Sequence, residues 1–355
     1  MSSRASSPAD APEAGAFFDE RAAAQRAKNL VILVTGASGF VGQHVVIGLR
    51  RSLPASRIRA FDAEPSSAAW PDGVETAYGL VEEREHLPDV VRGADVVIHL
   101  AAKVEPDSRE SKEMWRVNVE GTRNVYSAAV ASRCKLFLHM SSAGIYGPPR
   151  SPDPFHEDDD PEPVTPYQRT KWEAEEALRH TDSGDATLNI LRPAGIYGPG
   201  NHLAILEYRK LLNRKWAVEI SGGVIVHPTH VEDVVQAIVA LVAQPAPHGT
   251  TFNLGGERPI RLQDLHALAA EMLGVQRRRI VLPVRLAGPL AALAGPILGL
   301  RGRPNPLLGG ISRGHLFSAA VDDRRFRLRY PDVPVVELQR GLREYLEWAS
   351  KHRLL

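Results

Sequence analysis

Cysteine is scarce in this chain of 355 residues, because Cys134 is the only one. A single thiol excludes an intramolecular disulfide and a cysteine-based zinc site, and it is typical of a reducing compartment, so we expect a cytoplasmic protein. The histidines are scattered without the spacing of metal ligands, which predicts no metal site.

An excess of charge of one sign is also missing. Lys and Arg together number 43, against 42 Asp and Glu. This balance gives no electrostatic reason to expect nucleic acid as a partner, and it favours a small-molecule substrate. A hydrophobic fraction of 43% is ordinary for a globular protein. The length suits one large or two modest domains.

Long apolar runs are rare. The first 28 residues contain none, which argues against a secretory signal and predicts a flexible tail over 1–28. The stretch 282–300 is almost uncharged, but Pro289 and Pro296 interrupt it and it is short for a membrane span. We interpret it as a packed helix of a small domain. The alternative is an apolar lid over a hydrophobic substrate, or a weak membrane contact that would make the protein membrane-associated.

Strand-like apolar runs alternate with segments of helical periodicity, which predicts βαβ units and a parallel sheet. The fold class is therefore α/β, a Rossmann-type doubly wound sheet with a smaller C-terminal substrate-binding domain. Strands are predicted over 30–34, 57–61, 95–100, 136–140 and 187–191, and a loop over 148–166. Helices are predicted over 40–51, 116–132, 170–180, 203–215, 231–242 and 337–351.

A glycine-rich turn separates the first predicted strand from the first predicted helix. Gly36 permits the tight turn, Gly39 lets the backbone approach a pyrophosphate, and Gly42 lets the helix lie close to the sheet. Amide groups at such a helix start bind phosphate. The turn thus predicts a dinucleotide site that also includes Ser38, Phe40 and Val41.

An acidic residue at the end of the second predicted strand indicates which dinucleotide is bound. Asp62 lies 62 − 42 = 20 residues after Gly42. A carboxylate there can accept hydrogen bonds from the adenosine ribose and would repel a 2′-phosphate, which favours NAD over NADP. Arg57 and Arg59 keep NADP as the less favoured alternative, since either could reach a phosphate.

A tyrosine and a lysine with helical spacing predict the chemistry. Tyr167 and Lys171 lie one helical turn apart on one face. A phenol is too weak an acid to titrate near neutrality, and we expect the Lys171 ammonium to stabilise its phenolate while also donating to the nicotinamide ribose. Tyr167 and Lys171 are therefore predicted to bind the cofactor as well as to catalyse the reaction. Tyr167 then exchanges a proton with a substrate oxygen while a hydride moves to or from nicotinamide. The hydroxyl of Ser142, which ends a predicted strand, can orient the same oxygen.

Several segments resemble the extended short-chain dehydrogenases/reductases, which include nucleotide-sugar epimerases, dehydratases and 3β-hydroxysteroid dehydrogenases. The resemblance covers nearly all of residues 29–350. The matching segments are TGASGFVG at 35–42, DVVIHLAA at 95–102, NVEGTRNV at 118–125, SSAGIYG at 141–147, YQRTK at 167–171, LRPAGIYGPG at 191–200, HPTHVEDVV at 227–235 and FNLGGE at 252–257.

The resemblance implies roles for individual residues. It implies that Ser142, Tyr167 and Lys171 are catalytic and that Asn118 supports the lysine, often through water. The residues implied to flank the cofactor are Leu100, Ala101, Ala102 and, beside the nicotinamide, Pro193. His230 and Asp233 match a motif that we interpret as a structural anchor of the small domain.

The resemblance also implies a division of the chain. We expect an NAD-binding Rossmann domain over 29–192, with a returning segment near 227–253. The remainder, 193–355, is expected to be mainly a non-contiguous substrate-binding domain. Many members are homodimers, which here would pair through helices 116–132 and 170–180.

Two departures from the family pattern affect the expected ligands. Gly79, Leu80 and Val81 replace the Gly-Asp-Leu whose aspartate accepts from the adenine amino group, so Glu82 or Glu83 compensates or adenine is held less tightly. The stretches 194–197 and 312–315 lack the residues with which sugar-nucleotide members hold a diphosphate. The wording of 192–200 instead resembles the 3β-hydroxysteroid dehydrogenases.

Three functions are therefore open. The first is an NAD-dependent oxidoreductase that interconverts a secondary alcohol and a ketone on a sterol-like or other hydrophobic substrate. The second is a nucleotide-sugar 4-epimerase or reductase with tightly bound NAD. The third is a catalytically silent NAD-binding regulatory protein, against which the intact Ser142, Tyr167 and Lys171 argue.

Overall fold

A computed structural model describes most of the chain. The described residues are 27, 29–66, 69–104, 111–149, 151, 153–202, 205, 216–220, 225–275, 278–282 and 320–355. The predicted helix 203–215 lies outside them apart from Ile205, as do the apolar stretch 283–300 and the stretch 312–315.

A seven-stranded parallel sheet forms the centre of the protein, with the strand order β11-β6-β5-β4-β1-β2-β3. Its strands are β1 (Val31–Thr35), β2 (Arg57–Asp62), β3 (Val74–Tyr78), β4 (Val96–His99), β5 (Leu136–Met140), β6 (Thr187–Pro193) and β11 (Thr250–Leu254). The strand order reverses between β1 and β4, and ligands of such sheets bind at the carboxyl ends beside this point. This confirms the predicted Rossmann-type fold.

Helices cover both faces of the sheet. The helices of the described residues are α1 (Phe40–Ser52), α2 (Leu87–Val91), α3 (Lys112–Trp115), α4 (Thr122–Ala131), α5 (Pro166–Arg179), α6 (Val231–Ala243), α7 (Leu262–Met272), α8 (Arg324–Arg329) and α9 (Leu338–Lys351). Buried side chains of α1, α6 and α8 pack on one face of the sheet, and those of α2, α4 and α5 pack on the other.

Short strands accompany the large sheet. They are β7 (Ile196–Tyr197), β8 (Trp216–Ile220), β9 (Ile225–Val226), β10 (Thr229–His230), β12 (Ile260–Arg261) and β13 (Arg278–Leu282). They form three two-stranded pairs, β10 with β7, β12 with β9, and β13 with β8. A separate apolar cluster joins α7 to α9.

Helix α6 packs closely against α1. A Cβ atom at Gly48 would lie 2.2 Å from the Cγ1 atom of Val235, so the two helices approach through a position without a side chain. Strand β11 follows α6 and pairs with β6, from Thr250 beside Asn189 to Leu254 beside Pro193. The chain thus returns to the large sheet after leaving it at Pro193.

The C-terminal segment is attached through the first turn of α6. Asp233 Oδ2 accepts a hydrogen bond from the backbone amide of His230, and its Oδ1 accepts one from the amide of Val336. Both residues are buried. These bonds support the structural interpretation of His230 and Asp233, because they tie the start of α6 to the chain that leads into α9.

The predicted elements differ from the structure at several places, of which three lie near the candidate site or at the sheet edge. The predicted helix 116–132 begins as a π-helical turn, Arg116–Gly121, between α3 and α4. Helix α5 starts at Pro166 rather than at residue 170, because Thr165 and Gln168 form a capping box there. Strand β3 was not predicted, since its pattern is mostly polar and it lies at the sheet edge.

The predicted tail over 1–28 lies outside the described residues except for Ala27. Ala27 is buried, and its carbonyl accepts a hydrogen bond from the Ser56 hydroxyl at 2.5 Å. Among the described residues, no helix is long and apolar enough to cross a membrane. The same residues contain no cluster of three or more His, Cys, Asp or Glu suited to a metal ion.

Candidate active site

The glycine-rich turn connects β1 to α1 at the carboxyl edge of the sheet. Gly36 has φ of 69°, a conformation that favours glycine. A Cβ atom there would lie 2.6 Å from the Ala101 amide nitrogen, so the turn touches the segment after β4. A Cβ at Gly42 would lie 2.0 Å from the Gly36 carbonyl oxygen. Both glycines are therefore required by backbone packing.

The start of α1 suits a bound phosphate. Gly39 is the N-cap residue and is exposed, no side chain caps the helix, and its first turn contains no acidic residue. The first amides of a helix lack partners within the helix and attract anions. Phe40 packs edge-on against His44 with ring centroids 5.7 Å apart, and Val41 is partly buried against the core. The turn therefore fits a pyrophosphate at its amides.

Asp62 ends β2 and faces this turn. Its Oδ2 accepts from the Ser38 amide at 2.8 Å, and its Oδ1 accepts from the Ala63 amide at 2.7 Å. The Ser38 hydroxyl donates to the Glu64 carbonyl. These bonds orient the carboxylate at the strand end, where it retains lone pairs for the hydroxyls of a ribose.

Arg57 and Arg59, which left NADP as an alternative cofactor, make their contacts away from the glycine-rich turn. Arg59 donates to the carbonyls of Val90 and Arg92 and pairs with Glu75 at 3.4 Å. Arg57 stands at the opposite, amino end of β2, with Glu75 4.0 Å away. Neither guanidinium is directed to the carboxyl end of β2, so Asp62 decides the charge preference there.

The segment after β3 has no carboxylate in place of the missing aspartate. Leu80 is exposed by 38%, and Val81 is buried in the core. Glu83 lies 3.9 Å from the His86 imidazole, and the carbonyl of Glu82 accepts from Asn124 at 3.2 Å. These are the two residues that were expected to replace the adenine-binding aspartate. Glu83 is directed to His86, and Glu82 contacts Asn124 through its backbone carbonyl.

A chain of hydrogen bonds connects β1, β4 and α4. The Thr122 hydroxyl donates to the Asn118 carbonyl at 2.6 Å, so it accepts from His99 Nε2, which lies at 2.9 Å. His99 Nδ1 then accepts from the Thr35 hydroxyl at 2.8 Å, because burial lowers the pKa of His99 to about 3 and keeps it neutral. The Thr35 oxygen also accepts from the Ala101 amide at 3.4 Å.

This chain positions the segment that follows β4. The Leu100 amide donates to the Thr35 carbonyl at 3.1 Å, beside the bond made by Ala101. Leu100, Ala101 and Ala102 are all partly buried at the carboxyl edge, next to Gly36. The predicted cofactor-flanking residues therefore lie together with the glycine-rich turn.

The Tyr167–Lys171 pair lies in the first turns of α5. Lys171 is 4% exposed, and its Nζ donates to the Met140 carbonyl at 2.7 Å. Met140 ends β5, and Ser142 follows two residues later. The bond places the lysine, and the helix turn that bears Tyr167, against the carboxyl end of β5.

The stabilisation of a Tyr167 phenolate by Lys171 stays a prediction, and burial determines the pKa of both groups in this arrangement. Burial raises the pKa of Tyr167 to about 12. The pKa of Lys171 itself is lowered to about 8 by burial, partly offset by the charge of Glu175. Tyr167 is therefore a neutral phenol near pH 7, and Lys171 remains largely an ammonium.

Ser142 caps a short turn beside the start of α5. Its Oγ accepts from the Gly144 amide at 3.1 Å at the start of the 3₁₀ helix Ala143–Tyr146. A Cβ at Gly144 would lie 3.4 Å from the Gln168 side chain, next to Tyr167. Ser142 is partly exposed, so its hydroxyl is accessible from the same end of β5.

Asn118 lies in the π-helical turn and contacts the residue next to Lys171. Its Oδ1 accepts from the Lys103 amide at 2.7 Å, and its Nδ2 donates to the Lys103 carbonyl and the Thr170 hydroxyl. π-helical turns often occur at functional sites. Here the turn brings a buried amide between α5 and the segment after β4, which is an indirect form of the predicted support.

Sequence reasoning missed a buried ion pair behind these residues. Glu175 follows Lys171 by one helical turn, and Arg192 precedes Pro193, the last residue of β6. Arg192 donates to both carboxylate oxygens of Glu175, at 3.0 and 2.7 Å. The sequence contained a signal for this ion pair, because Arg192 lies in a mostly apolar strand, where a buried charge requires a partner.

Comparison with known proteins identifies the class. The profile of the NAD dependent epimerase/dehydratase family matches residues 32–255. The chain belongs to this family, whose members are NAD-dependent dehydrogenases, epimerases and dehydratases. NAD is accordingly its cofactor, and the uncapped start of α1, the glycine-rich turn and Asp62 are arranged to fit it.

Particular relatives differ in what they act on. The chain is 31% identical over 280 residues to sterol demethylase protein B of Methylococcus capsulatus, covering 76% of this chain and 82% of that protein. It is 28% identical over 269 residues to N-acetyl-alpha-D-glucosaminyl-diphospho-ditrans,octacis-undecaprenol 4-epimerase of Escherichia coli O157:H7, covering 74% of this chain and 77% of that protein. The solved structure of MoeE5 with UDP-glucose and NAD is 25% identical, with a TM-score of 0.69 over 91% of this chain and 99% of that one.

Proposed function

We propose that the protein is an NAD-dependent oxidoreductase that interconverts a secondary alcohol and a ketone on a sterol-like or other hydrophobic substrate. The observation that carries the proposal is the bond from Lys171 Nζ to the Met140 carbonyl. It packs the helix turn of Tyr167 and Lys171 against the strand end that leads to Ser142, at the edge where the glycine-rich turn lies.

Tyr167 and Ser142 act on the substrate oxygen in this proposal. NAD, when bound, accepts or supplies the hydride. In ketone reduction, the neutral phenol of Tyr167 donates its proton to the oxygen as negative charge develops there. The Ser142 hydroxyl donates a hydrogen bond to the same oxygen. In alcohol oxidation Tyr167 first loses its phenolic proton to solvent, and the phenolate then accepts the proton of the alcohol.

Lys171 and Asn118 support these steps. The Lys171 ammonium stabilises the phenolate that Tyr167 becomes after donating its proton. Asn118 holds Thr170, and thereby the first turn of α5, against the segment after β4. The roles of these four residues and of the cofactor-flanking residues are part of the proposal.

Apolar surface near the site favours a hydrophobic substrate. Val104, two residues after Ala102, is exposed by 42%, and Val164, three residues before Tyr167, by 49%. Trp115 is exposed by 41% and donates to Glu173 on α5. We take these exposed side chains, on segments that carry site residues, as support for an apolar ligand surface, since ligand pockets are lined predominantly by apolar groups. The name of the sterol demethylase relative agrees with this choice.

The second candidate is an epimerase. It is favoured by the E. coli relative, whose named substrate combines a sugar diphosphate with a long polyprenol, and by the UDP-glucose in MoeE5. Such a reaction uses the same proton exchange at Tyr167, but the hydride returns to the substrate. No net reduction of NAD then occurs.

The test is to incubate purified protein with NAD and two substrate panels, hydroxysteroids and sugar nucleotides including polyprenol-linked sugars. Accumulation of NADH with a hydroxysteroid supports the oxidoreductase. If a sugar changes configuration without net formation of NADH, and the cofactor co-purifies with the protein, the epimerase replaces the oxidoreductase as the proposed function. Absence of turnover on both panels and on further hydrophobic alcohols, with NAD bound, would favour a regulatory protein.

A variant tests the role of Tyr167. Tyr167→Phe should abolish turnover and preserve NADH binding, because only the exchangeable proton is removed. The matched control is Tyr330→Phe, which removes a hydroxyl bonded to the Gln244 carbonyl at the end of α6 and should retain activity. Near-normal turnover by Tyr167→Phe would contradict the mechanism.

A further inference from the structure

Glu175 is a fully buried carboxylate with an unusual number of donors. Its side chain has no exposed surface. Besides the two bonds from Arg192, it accepts from Arg179 Nη2 at 2.7 Å and from the Ser141 hydroxyl. Burial opposes its ionisation, but Arg192, Arg179 and Ser141 outweigh burial and lower its pKa. Glu175 is therefore ionised inside the protein.

Arg192 extends the network away from Glu175. Its Nη1 donates to the Tyr146 hydroxyl at 2.7 Å and to the Glu157 carbonyl at 2.9 Å. The Tyr146 hydroxyl in turn donates to Asn253 Oδ1 at 2.8 Å. The guanidinium thus connects α5 with the turn after Ser142 and, through Tyr146, with β11.

The pair touches the segments that bear Lys171, Ser142 and Pro193. Glu175 is one helical turn from Lys171, and its partner Ser141 is the neighbour of Ser142. Arg192 is the neighbour of Pro193. A buried pair of this kind seldom adds stability over apolar residues, because both charges lose their hydration. Its benefit is geometric, since bidentate bonds fix relative orientation.

We propose that Glu175 and Arg192 are positioning residues, which hold Ser142 and the Tyr167–Lys171 turn in their reactive arrangement through Ser141, Tyr146 and α5. The proposal rests on the proposed function, because it assigns the pair an effect on that chemistry. A misplacement of about 1 Å can reduce the rate roughly a hundredfold. Among the described residues, the hydrogen bonds of the pair include neither the glycine-rich turn nor Asp62, so we expect its loss to lower kcat far more than cofactor affinity.

A cavity gives solvent access to Arg192. It has a volume of 380 Å³ and is lined by Arg192, Arg179, Arg325, Glu157 and Thr251, among others. Arg192 is buried from bulk solvent, yet its side chain forms part of this wall. A small planar cation can therefore replace the guanidinium if the side chain is removed.

The first experiment compares Glu175→Gln with Glu176→Gln. Glu176 is the adjacent residue, at the surface, with Arg179 Nη1 3.3 Å away. We expect Glu175→Gln to lower kcat roughly a hundredfold while the Kd of NADH, from fluorescence titration, changes less than about twofold. Glu176→Gln should leave both unchanged. Normal kcat in folded Glu175→Gln overturns the proposal, as does an equal loss of cofactor affinity.

The second experiment uses a variant with a smaller structural effect. Ser141→Ala removes only the hydroxyl that ties the end of β5 to Glu175, and it should lower kcat in the same direction with KM and NADH affinity retained. It keeps the test valid if Glu175→Gln fails to fold. Unchanged kcat in Ser141→Ala would contradict the link to Ser142.

The third experiment is chemical rescue. Arg192→Ala should regain activity when guanidinium chloride is added at a sub-denaturing concentration, and sodium chloride at equal ionic strength should give no recovery. Assays are run well below the melting temperature of the variant, so recovered stability alone cannot raise the rate. Failure of guanidinium to restore activity in folded Arg192→Ala overturns the geometric role.

The Tyr167→Phe variant distinguishes a failure of the positioning role from a failure of the proposed function. If Tyr167→Phe is inactive while the variants of Glu175, Ser141 and Arg192 have normal kcat, only the positioning role fails. If Tyr167→Phe remains active, the proposed function fails, whatever the other variants do.

Discussion

The carboxylate of Asp62 is bound to the backbone amide of Ser38 at 2.8 Å, so the end of β2 and the glycine-rich turn form one unit. A second bond, from the Ala63 amide, uses the other carboxylate oxygen. Both donors are backbone groups, which means that the orientation of the negative charge is set before a ligand arrives. The preference for NAD is thus built into the turn.

Replacing that carboxylate should change cofactor preference. Asp62→Ala removes an ionised acceptor worth about 1.5–3 kcal/mol, so NAD affinity should fall roughly 10- to 100-fold. NADP affinity should fall much less, because repulsion of its 2′-phosphate is relieved. Titration of both cofactors measures the ratio. Glu75→Ala, an exposed acidic residue of β3, is the control, and an unchanged ratio in Asp62→Ala would refute the ribose contact.

Two glycines of one turn should give different defects. At Gly42 a Cβ would lie 2.0 Å from the Gly36 carbonyl oxygen, so Gly42→Ala should destabilise the fold by about 1–3 kcal/mol. At Gly39 the nearest atom is 3.3 Å away and φ is −70°, which alanine adopts. Gly39→Ala should keep its stability and weaken NADH binding, as measured by urea unfolding and fluorescence titration. Equal stability losses would contradict this assignment.

Lys171 should determine an alkaline limit of activity. Its pKa in the folded protein is lowered to about 8, so the ammonium is present below this pH and is lost as the pH rises through it. The groups that face it are Glu175 on its own helix, and the neutral His139 and His99 of β5 and β4. We expect kcat to decline above a pH of about 8.

The control for this alkaline decline of kcat is Lys171→Arg, because arginine remains a cation at every accessible pH. Its residual activity should show no decline near the same pH. An identical decline of kcat in both proteins would show that a group other than Lys171 causes it.

We expect His139 to lower the free energy of unfolding of the wild-type protein. Its imidazole is buried on β5, stacked 5.7 Å from the ring of His99, and within the described part of the chain neither ring nitrogen has a hydrogen-bond partner. Removing an unsatisfied buried polar group should stabilise the protein, so His139→Phe should raise the free energy of unfolding by about 1 kcal/mol at pH 7.

The gain from His139→Phe should grow in acid. Burial lowers the pKa of His139 well below 6.5, so below that pH the unfolded chain takes up a proton that the folded protein does not. The wild type therefore loses stability relative to the variant as pH falls. Urea unfolding at pH 7 and pH 5 measures this difference, and a difference that shrinks in acid would show that the folded protein binds the proton.

Local features of the site could be predicted because their signals are short in sequence. The glycine spacing of 36, 39 and 42 and the four-residue spacing of Tyr167 and Lys171 are set by one turn and one helix. Strands β1, β4 and β5 were evident for a related reason, since their side chains are buried on both faces. Strand β3 at the sheet edge lacks that signal.

Other features depend on segments that are distant in sequence. The direction of the Lys171 ammonium is decided by the Met140 carbonyl, which belongs to another element, and burial between elements raises the pKa of Tyr167. The pairing of Glu175 with Arg192 likewise requires α5 and β6 to meet.

The sequence by itself therefore determined the class of fold, the cofactor and the candidate chemical groups, because local spacing and hydrophobic periodicity encode them, and the resemblance of its motifs indicated the family. Only the tertiary structure decided which charges face one another, how far each is buried and hence which proton each holds. Those properties follow from packing between elements, and hydrogen bonds across elements have no fixed spacing along the chain.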